Sequence, residues 1–175
     1  MNLSPLFKTQ KTLDDKIVAE KGLEGQDLLD KKILALQVEL GELANEFRGF
    51  KFWSEDQEPR TVIYKNIAMK KVKKNPLLEE YVDCLHFILS IGNDIGMSSV
   101  TWPTTELVNY TTLDSFDTTF YQIAQFSNHR TSLFYGNILT IFIHLGKRLG
   151  FTWQQIEQAY YDKNKVNHER QSNGY

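Results

Sequence analysis

The chain has 175 residues, a length typical of a single domain that can bury a sizeable core. Its 20 basic and 22 acidic residues give a net charge of −2, so there is no basic excess of the kind that indicates nucleic-acid binding. It has no polybasic tail, no signal-peptide layout and no apolar run long enough to span a membrane. The single cysteine, Cys84, excludes an internal disulfide and favours a reducing compartment, which predicts a cytoplasmic protein.

Apolar residues recur at helical spacing along most of the chain. Ser4 and Pro5 are a typical helix opening, and Asn75, Ser115 and Thr152 are expected to cap later helices. Residues 48–75 are expected to form a loop with a short helix at 60–70, and residues 98–114 a Ser/Thr-rich connection. The predicted helices span about 5–20, 27–47, 76–95, 116–127, 130–149 and 152–170. The fold is therefore predicted to be all-α, a helical bundle forming one domain over residues 1–175.

Two sets of acidic residues lie on two of these helices. Glu39, Glu42 and Glu46 fall within a sector of roughly 60° beside the apolar stripe of the second helix. Glu80 and Asp83 are neighbours on the third helix, which is apolar on nearly all sides and should be largely buried. A single ExxE spacing is more often a plain solvated face, but two sets on two helices favour a functional interpretation.

Buried carboxylates are costly unless a cation neutralises them. On the same helix faces the sequence offers only Lys32 near the first set and no basic residue near the second. Acids from facing helices could instead share hard cations, and oxygen ligands with room for water suit Mg²⁺. The basic run Lys70, Lys71, Lys73 and Lys74 is interpreted as a solvated loop, with electrostatic steering of a polyanion as the alternative.

Four segments, taken in order, resemble those of the dimeric dUTPases, a family of the all-α nucleoside triphosphate pyrophosphohydrolases that also include the MazG-like enzymes. They are "TQKTLDD", "ELANEFRGFKFW" with its Lys-x-Trp element, "EEYVDCLHFILSIG", and "YYDKNKVNHERQSNGY" at the C-terminus. The resemblance spans most of the chain and is weakest over residues 98–150. The extra Glu79 before Glu80 and the Cys84-Leu85 pair before His86 depart from the family pattern.

The resemblance implies hydrolysis of dUTP, and of dUDP as a second substrate, to dUMP. By the same resemblance, pyrophosphate would be released from dUTP, and the reaction would limit uracil incorporation into DNA. It also implies a homodimer and Mg²⁺ as cofactor, with more than one ion expected per site. Carried onto this sequence, the metal ligands are Glu39, Glu42, Glu80 and Asp83, with Glu46 farther out. Glu39 is the expected general base and Glu42 is its rival.

The resemblance also implies a set of substrate contacts. Lys163, Arg170 and Tyr175 would bind phosphates, although a frayed basic helix end is the ordinary alternative for the first two. Base and sugar contacts would come from Gln10, Trp53, Phe87 and Asn164. Lys51, His86 and Asn167 would be further substrate contacts. Phe87 and His86 could equally be ordinary core residues, and Trp53 could simply anchor its loop.

Two other functions remain open at this point. A MazG-like pyrophosphohydrolase would act on another nucleoside triphosphate, although such chains are often shorter. A non-catalytic all-α interaction protein would use its acids to bind a basic partner and would hydrolyse nothing. Apolar residues over 130–149 fit either a dimer contact or core burial.

Overall fold

The computed structural model describes residues 2–67, 70–97 and 110–172. Over these residues six helices dominate, as an all-α bundle requires. They are α1 (Ser4–Lys21), α2 (Leu29–Phe47), α3 (Pro76–Asp94), α4 (Thr112–His129), α5 (Ser132–Arg148) and α6 (Trp153–Ser172). None of the described helices is long and apolar enough to cross a membrane.

One part of the predicted fold is wrong. Where a loop with a short helix was expected, two antiparallel strands form a hairpin, β1 (Ile63–Ile67) and β2 (Lys70–Lys74). Ile63 lies opposite Lys74, and Tyr64 lies opposite Lys73. The β-branched and aromatic residues of this segment favour an extended backbone. Tyr64 and Lys73, which lie opposite each other, are both exposed.

The helix ends follow their capping residues, with two corrections. Asn75 accepts a hydrogen bond from the backbone of Leu78, and Thr152 forms the predicted capping box with Gln155. Ser4, however, is the first residue of α1 and does not cap it. Ser115 is buried inside α4, which begins earlier because Thr111 caps it through a reciprocal bond with Asp114.

α3 is the centre of the bundle and packs against α1, α2, α5 and α6. Its nearly continuous apolar surface is buried, as predicted. Two glycines let neighbouring helices approach closely. A Cβ on Gly92 would lie 2.2 Å from the hydroxyl of Tyr135, and a Cβ on Gly146 would lie 2.5 Å from that of Tyr81. These approaches fix α5 against α3, so that the acids of α3 face α2 and α6.

Candidate active site

Three carboxylates from two helices meet at one end of the α2–α3 interface. Glu39 projects from α2, and Glu80 and Asp83 project from α3. One oxygen from each lies within 4.8 Å of the others, and all three side chains are partly buried. Glu42, one turn further along α2, is exposed and is not part of this three-residue group. The predicted acid sets of the two helices therefore face each other, with Glu42 at the edge.

The electrostatics of this cluster favour a cation. Partial burial raises the pKa of Glu39 to about 7, and the charges of Asp83 and Glu42 add to the effect. Burial likewise raises the pKa of Glu80 to about 7, again with help from Asp83 and Glu42. A divalent ion would relieve this repulsion, and hard oxygen donors are the ligands that Mg²⁺ prefers. The donor set therefore fits a divalent metal.

A lysine from the last helix neutralises part of the cluster, although the face of α3 that carries the acids has no basic residue of its own. Lys163 of α6 donates a hydrogen bond to Oδ2 of Asp83. Burial still raises the pKa of Asp83, because it outweighs the lowering by Lys163. Lys32, expected beside the first acid set, instead forms an ion pair with Asp94 at 2.7 Å. The charge partner of the site therefore comes from a helix distant in sequence.

Glu46 is separate from the cluster. Its Oε1 accepts a hydrogen bond from Arg60 at 3.3 Å, and its Oε2 is buried without a hydrogen-bond partner. Arg60 also donates its backbone N–H to the carbonyl of Glu46. Glu46 thus holds the segment leading to the hairpin against the end of α2.

A cleft of about 360 Å³ opens beside the carboxylates, bounded by α1, α2, α3 and α6. We call it the first cleft. Its lining includes several residues expected from the sequence: Gln10, Glu39, Asp83, His86, Phe87, Lys163, Asn167 and Arg170. The structure therefore brings acids, phosphate-type cations and candidate nucleoside contacts into one cavity, although these residues are spread from the first helix to the last.

A buried hydrogen-bond network fixes the orientation of Gln10. Its Oε1 lies 2.6 Å from Nδ1 of His86 and accepts a bond of 3.0 Å from the Tyr160 hydroxyl, while its Nε2 donates to Asp14 at 2.8 Å. Ser90 completes the network by donating to the other oxygen of Asp14 at 2.8 Å. The carboxylate of Asp14 sets the amide orientation, because it can only accept from the NH₂ group. Asp14 uses one of the two N–H groups of Gln10, whose side chain also lines the first cleft.

The same network sets the tautomer of His86. Burial lowers the pKa of His86 to about 3, so the ring is neutral. Since Oε1 of Gln10 is an acceptor, Nδ1 carries the proton and Nε2 is an acceptor. Nε2 is buried and has no hydrogen-bond partner. His86 is therefore a core histidine on one side and an acceptor bordering the cleft on the other.

Asp14 and Ser90 were not identified from the sequence. Burial raises the pKa of Asp14, and the bonds from Gln10 and Ser90 oppose that rise. The signal in the sequence was the spacing of Gln10 and Asp14, which places both on one face of α1 beside the buried Leu13. Ser90 carried no such signal, because a serine on an apolar helix is ordinary.

Several expected contacts lie elsewhere. Lys51 and Trp53 lie on the loop after α2 and do not line the first cleft. Trp53 is 65% exposed and packs edge-on against Phe52, and Lys51 lies over the ring of Phe50. Asn164 is buried and does not line the first cleft either, with its Nδ2 lacking a hydrogen-bond partner. Tyr175 falls outside the described residues.

A family model described as dUTPase matches residues 2–175, which is nearly the whole chain. No curated protein matches the sequence of this chain. The match covers every helix that contributes to the carboxylate cluster and the first cleft. The chain therefore belongs to the all-α family of the dimeric dUTPases, and it is a dUTP diphosphatase that hydrolyses dUTP to dUMP.

Proposed function

We propose that Glu39, Glu42, Glu80 and Asp83 hold Mg²⁺ and that the first cleft binds dUTP, with dUDP as a second substrate. The observation that carries this proposal is the approach of three carboxylate oxygens to within 4.8 Å of one another at the edge of the cleft. Glu42 is included because its charge acts on both Glu39 and Glu80. More than one ion per site is expected, since four carboxylates exceed what one ion with several bound waters requires.

The carboxylates and the cations of α6 have different roles in the proposed reaction. When bound, Mg²⁺ neutralises phosphoryl oxygens and lowers the pKa of nearby water. A carboxylate oxygen of Glu39 accepts the proton of the attacking water, with Glu42 as the alternative base. The bond between the α- and β-phosphates breaks and pyrophosphate leaves. Lys163 and Arg170, which line the first cleft, compensate the charge of the phosphate chain.

The nucleoside end of the substrate would meet the network around Gln10. The remaining N–H of Gln10 suits a carbonyl oxygen of uracil, and the unpartnered Nε2 of His86 suits a sugar hydroxyl. Phe87 lines the first cleft and would pack against C2′ of the sugar, where a ribose hydroxyl would not fit. Asn167 of α6 also lines the first cleft and would contact the substrate there. Lys51, Trp53 and Asn164 are assigned no substrate contact in this arrangement.

A homodimer and a cytoplasmic location are part of the same proposal. Leu34 and Val38 of α2 are 61% and 51% exposed, which supports an apolar contact with a second copy. The apolar residues of α5 give no such support, because most of them are buried in the core. The single cysteine supports a reducing compartment.

The test is a pyrophosphate-release assay on dUTP, dCTP, dTTP and UTP, with and without Mg²⁺; dUDP hydrolysis is followed by dUMP formation. We expect Mg²⁺-dependent turnover selective for dUTP. Glu80→Gln and Asp83→Asn should lower kcat by at least a hundredfold while the protein remains folded, whereas the exposed Glu24→Gln should leave it unchanged. Equal turnover of dCTP and dTTP would favour a MazG-like specificity. Parental turnover by both site variants would refute the metal-site assignment, and absence of hydrolysis would favour an interaction protein.

A further inference from the structure

The carboxylate of Asp14 accepts a hydrogen bond at each of its two oxygens. Oδ1 accepts from Nε2 of Gln10 at 2.8 Å, and Oδ2 accepts from the Ser90 hydroxyl at 2.8 Å. All three side chains line the first cleft. Asp14 therefore joins α1 to α3 at the place where the nucleoside end of the substrate is proposed to lie.

The other contacts of the Gln10 amide do not fix its direction. Its Oε1 lies 2.6 Å from Nδ1 of His86 and 3.0 Å from the Tyr160 hydroxyl. A neutral imidazole nitrogen donates or accepts according to its tautomer, and a hydroxyl can do both. The Tyr160 hydroxyl also lies 3.2 Å from the carbonyl oxygen of Leu6, to which it can donate while it accepts from an amide. A reversed Gln10 amide would therefore keep a hydrogen bond to both rings.

Asp14 makes the reversed amide unfavourable. Among the described residues that bond to the Gln10 side chain, Asp14 is the one whose ionised form can only accept. Reversal would set the amide oxygen against a carboxylate oxygen, and Gln10 is only 4% exposed, so water cannot readily separate the two. Burial raises the pKa of Asp14, and the bonds from Gln10 and Ser90 lower it, so the Ser90 hydroxyl helps to keep the carboxylate ionised.

The direction of this amide decides which pyrimidine it can recognise. Uracil carries a carbonyl oxygen at C4, whereas cytosine carries an amino group there. In the direction that Asp14 imposes, the second N–H of Gln10 would donate to O4 of uracil. The oxygen of a reversed amide would instead accept from the amino group of cytosine. Thymine has the same hydrogen-bonding groups as uracil and differs from it by a methyl group.

We propose that Asp14, held by Ser90, is a specificity-determining positioning residue that fixes the NH₂ group of Gln10 toward uracil and so disfavours cytosine. This inference rests on the proposed function, because it requires the base of dUTP to meet Gln10 in the first cleft. Asp14 acts through Gln10 and makes no bond to the substrate itself.

Two variants and one control test this role. Asp14→Asn keeps the shape of the side chain, but its amide can donate to a reversed Gln10 oxygen as well as accept from the NH₂ group. Ser90→Ala removes only the donor to Asp14 and carries the test if Asp14→Asn does not fold. Asp15→Asn is the matched control, since Asp15 is exposed, pairs with Lys11 and does not line the first cleft. The measured quantity is kcat/KM for dUTP, dCTP and dTTP with Mg²⁺.

Asp14→Asn should lower the ratio of kcat/KM for dUTP to that for dCTP about tenfold, with kcat/KM for dCTP unchanged or raised. Ser90→Ala should lower the same ratio about threefold, because the carboxylate remains but is held less firmly. The ratio of dUTP to dTTP should stay within about twofold in both variants, since the two bases offer Gln10 the same groups. Asp15→Asn should keep both parental ratios.

An unchanged ratio of dUTP to dCTP in the folded variants would overturn the inference. A parallel loss for dUTP, dCTP and dTTP would also overturn it, because that result indicates only a general structural defect. An equal fall in Asp15→Asn would do the same. Failure of the proposed function would instead appear in the parental protein, as absent dUTP hydrolysis or equal turnover of dUTP and dCTP.

Discussion

Replacing Lys163 with methionine tests whether its ammonium group compensates the negative charge of the carboxylate cluster. Lys163 donates to Asp83, and the two side chains are 22% and 16% exposed. Removing one partner of a fully buried ion pair costs 3–5 kcal/mol, and partial exposure screens this pair. We therefore expect Lys163→Met to lower the free energy of unfolding by about 2 kcal/mol without metal, a fall of roughly 4–8 °C in Tm.

Added Mg²⁺ should raise the stability of Lys163→Met by more than it raises that of the parental protein. With Lys163 gone, Asp83 joins Glu39 and Glu80 as three acids without an ammonium group, so an added cation relieves more repulsion than in the parental protein. Thermal unfolding followed by circular dichroism should show a larger Mg²⁺-induced rise in Tm for Lys163→Met.

Lys165→Met is the control for the loss of one lysine, and it should show the parental response in both conditions. The reasoning is refuted if Lys163→Met loses the same stability with and without saturating Mg²⁺. It is also refuted if Lys163→Met loses none at all.

Three further predictions concern the fold that supports the site. Gly146→Ala should lower the free energy of unfolding by about 3 kcal/mol in urea titrations, because its Cβ would lie 2.5 Å from the hydroxyl of the fully buried Tyr81. Thr111→Ala should lower it by about 1 kcal/mol by removing the cap of α4. Between pH 7 and pH 4.5, His86 alone should lower the free energy of unfolding by about 2 kcal/mol, because its native pKa of about 3 lies below the unfolded value of 6.5. Glu39 and Glu80, whose pKa of about 7 lies above their ordinary value of 4.5, act in the opposite sense, so the contribution of His86 is measured as the difference between the parental protein and His86→Gln. The contribution of His86 is complete above pH 6.5 and is lost as the pH falls toward 3.

Each of these has its own check. Gly136→Ala, on the same helix as Gly146 but with nothing within 4 Å of the added Cβ, should be neutral or stabilising. If it is as destabilising as Gly146→Ala, the close approach to Tyr81 is not the cause. Ser115→Ala should not reproduce the helix-capping loss of Thr111→Ala. The stability of His86→Gln relative to the parental protein should rise by about 2 kcal/mol between pH 7 and pH 4.5, and an unchanged difference would mean that other groups are responsible.

The sequence by itself determined the helical class and much of the candidate site. Helical spacing and caps such as Asn75 are local properties, and the acids of α2 and α3 lie beside apolar stripes that must face a neighbouring helix. Four segments read in order also carried the family resemblance that the family match confirmed. The hairpin was missed because its β-branched residues are interrupted by charges that suggested a loop.

Only the tertiary structure decided which basic groups compensate the charge of the acidic residues. Lys163 lies 80 residues after Asp83, and no periodicity relates the two. The same holds for the contact of Gln10 with His86 and for that of Asp14 with Ser90. Local patterns fix the face that each helix presents, whereas the packing of α1 and α6 on α3 determines which side chains meet across those faces.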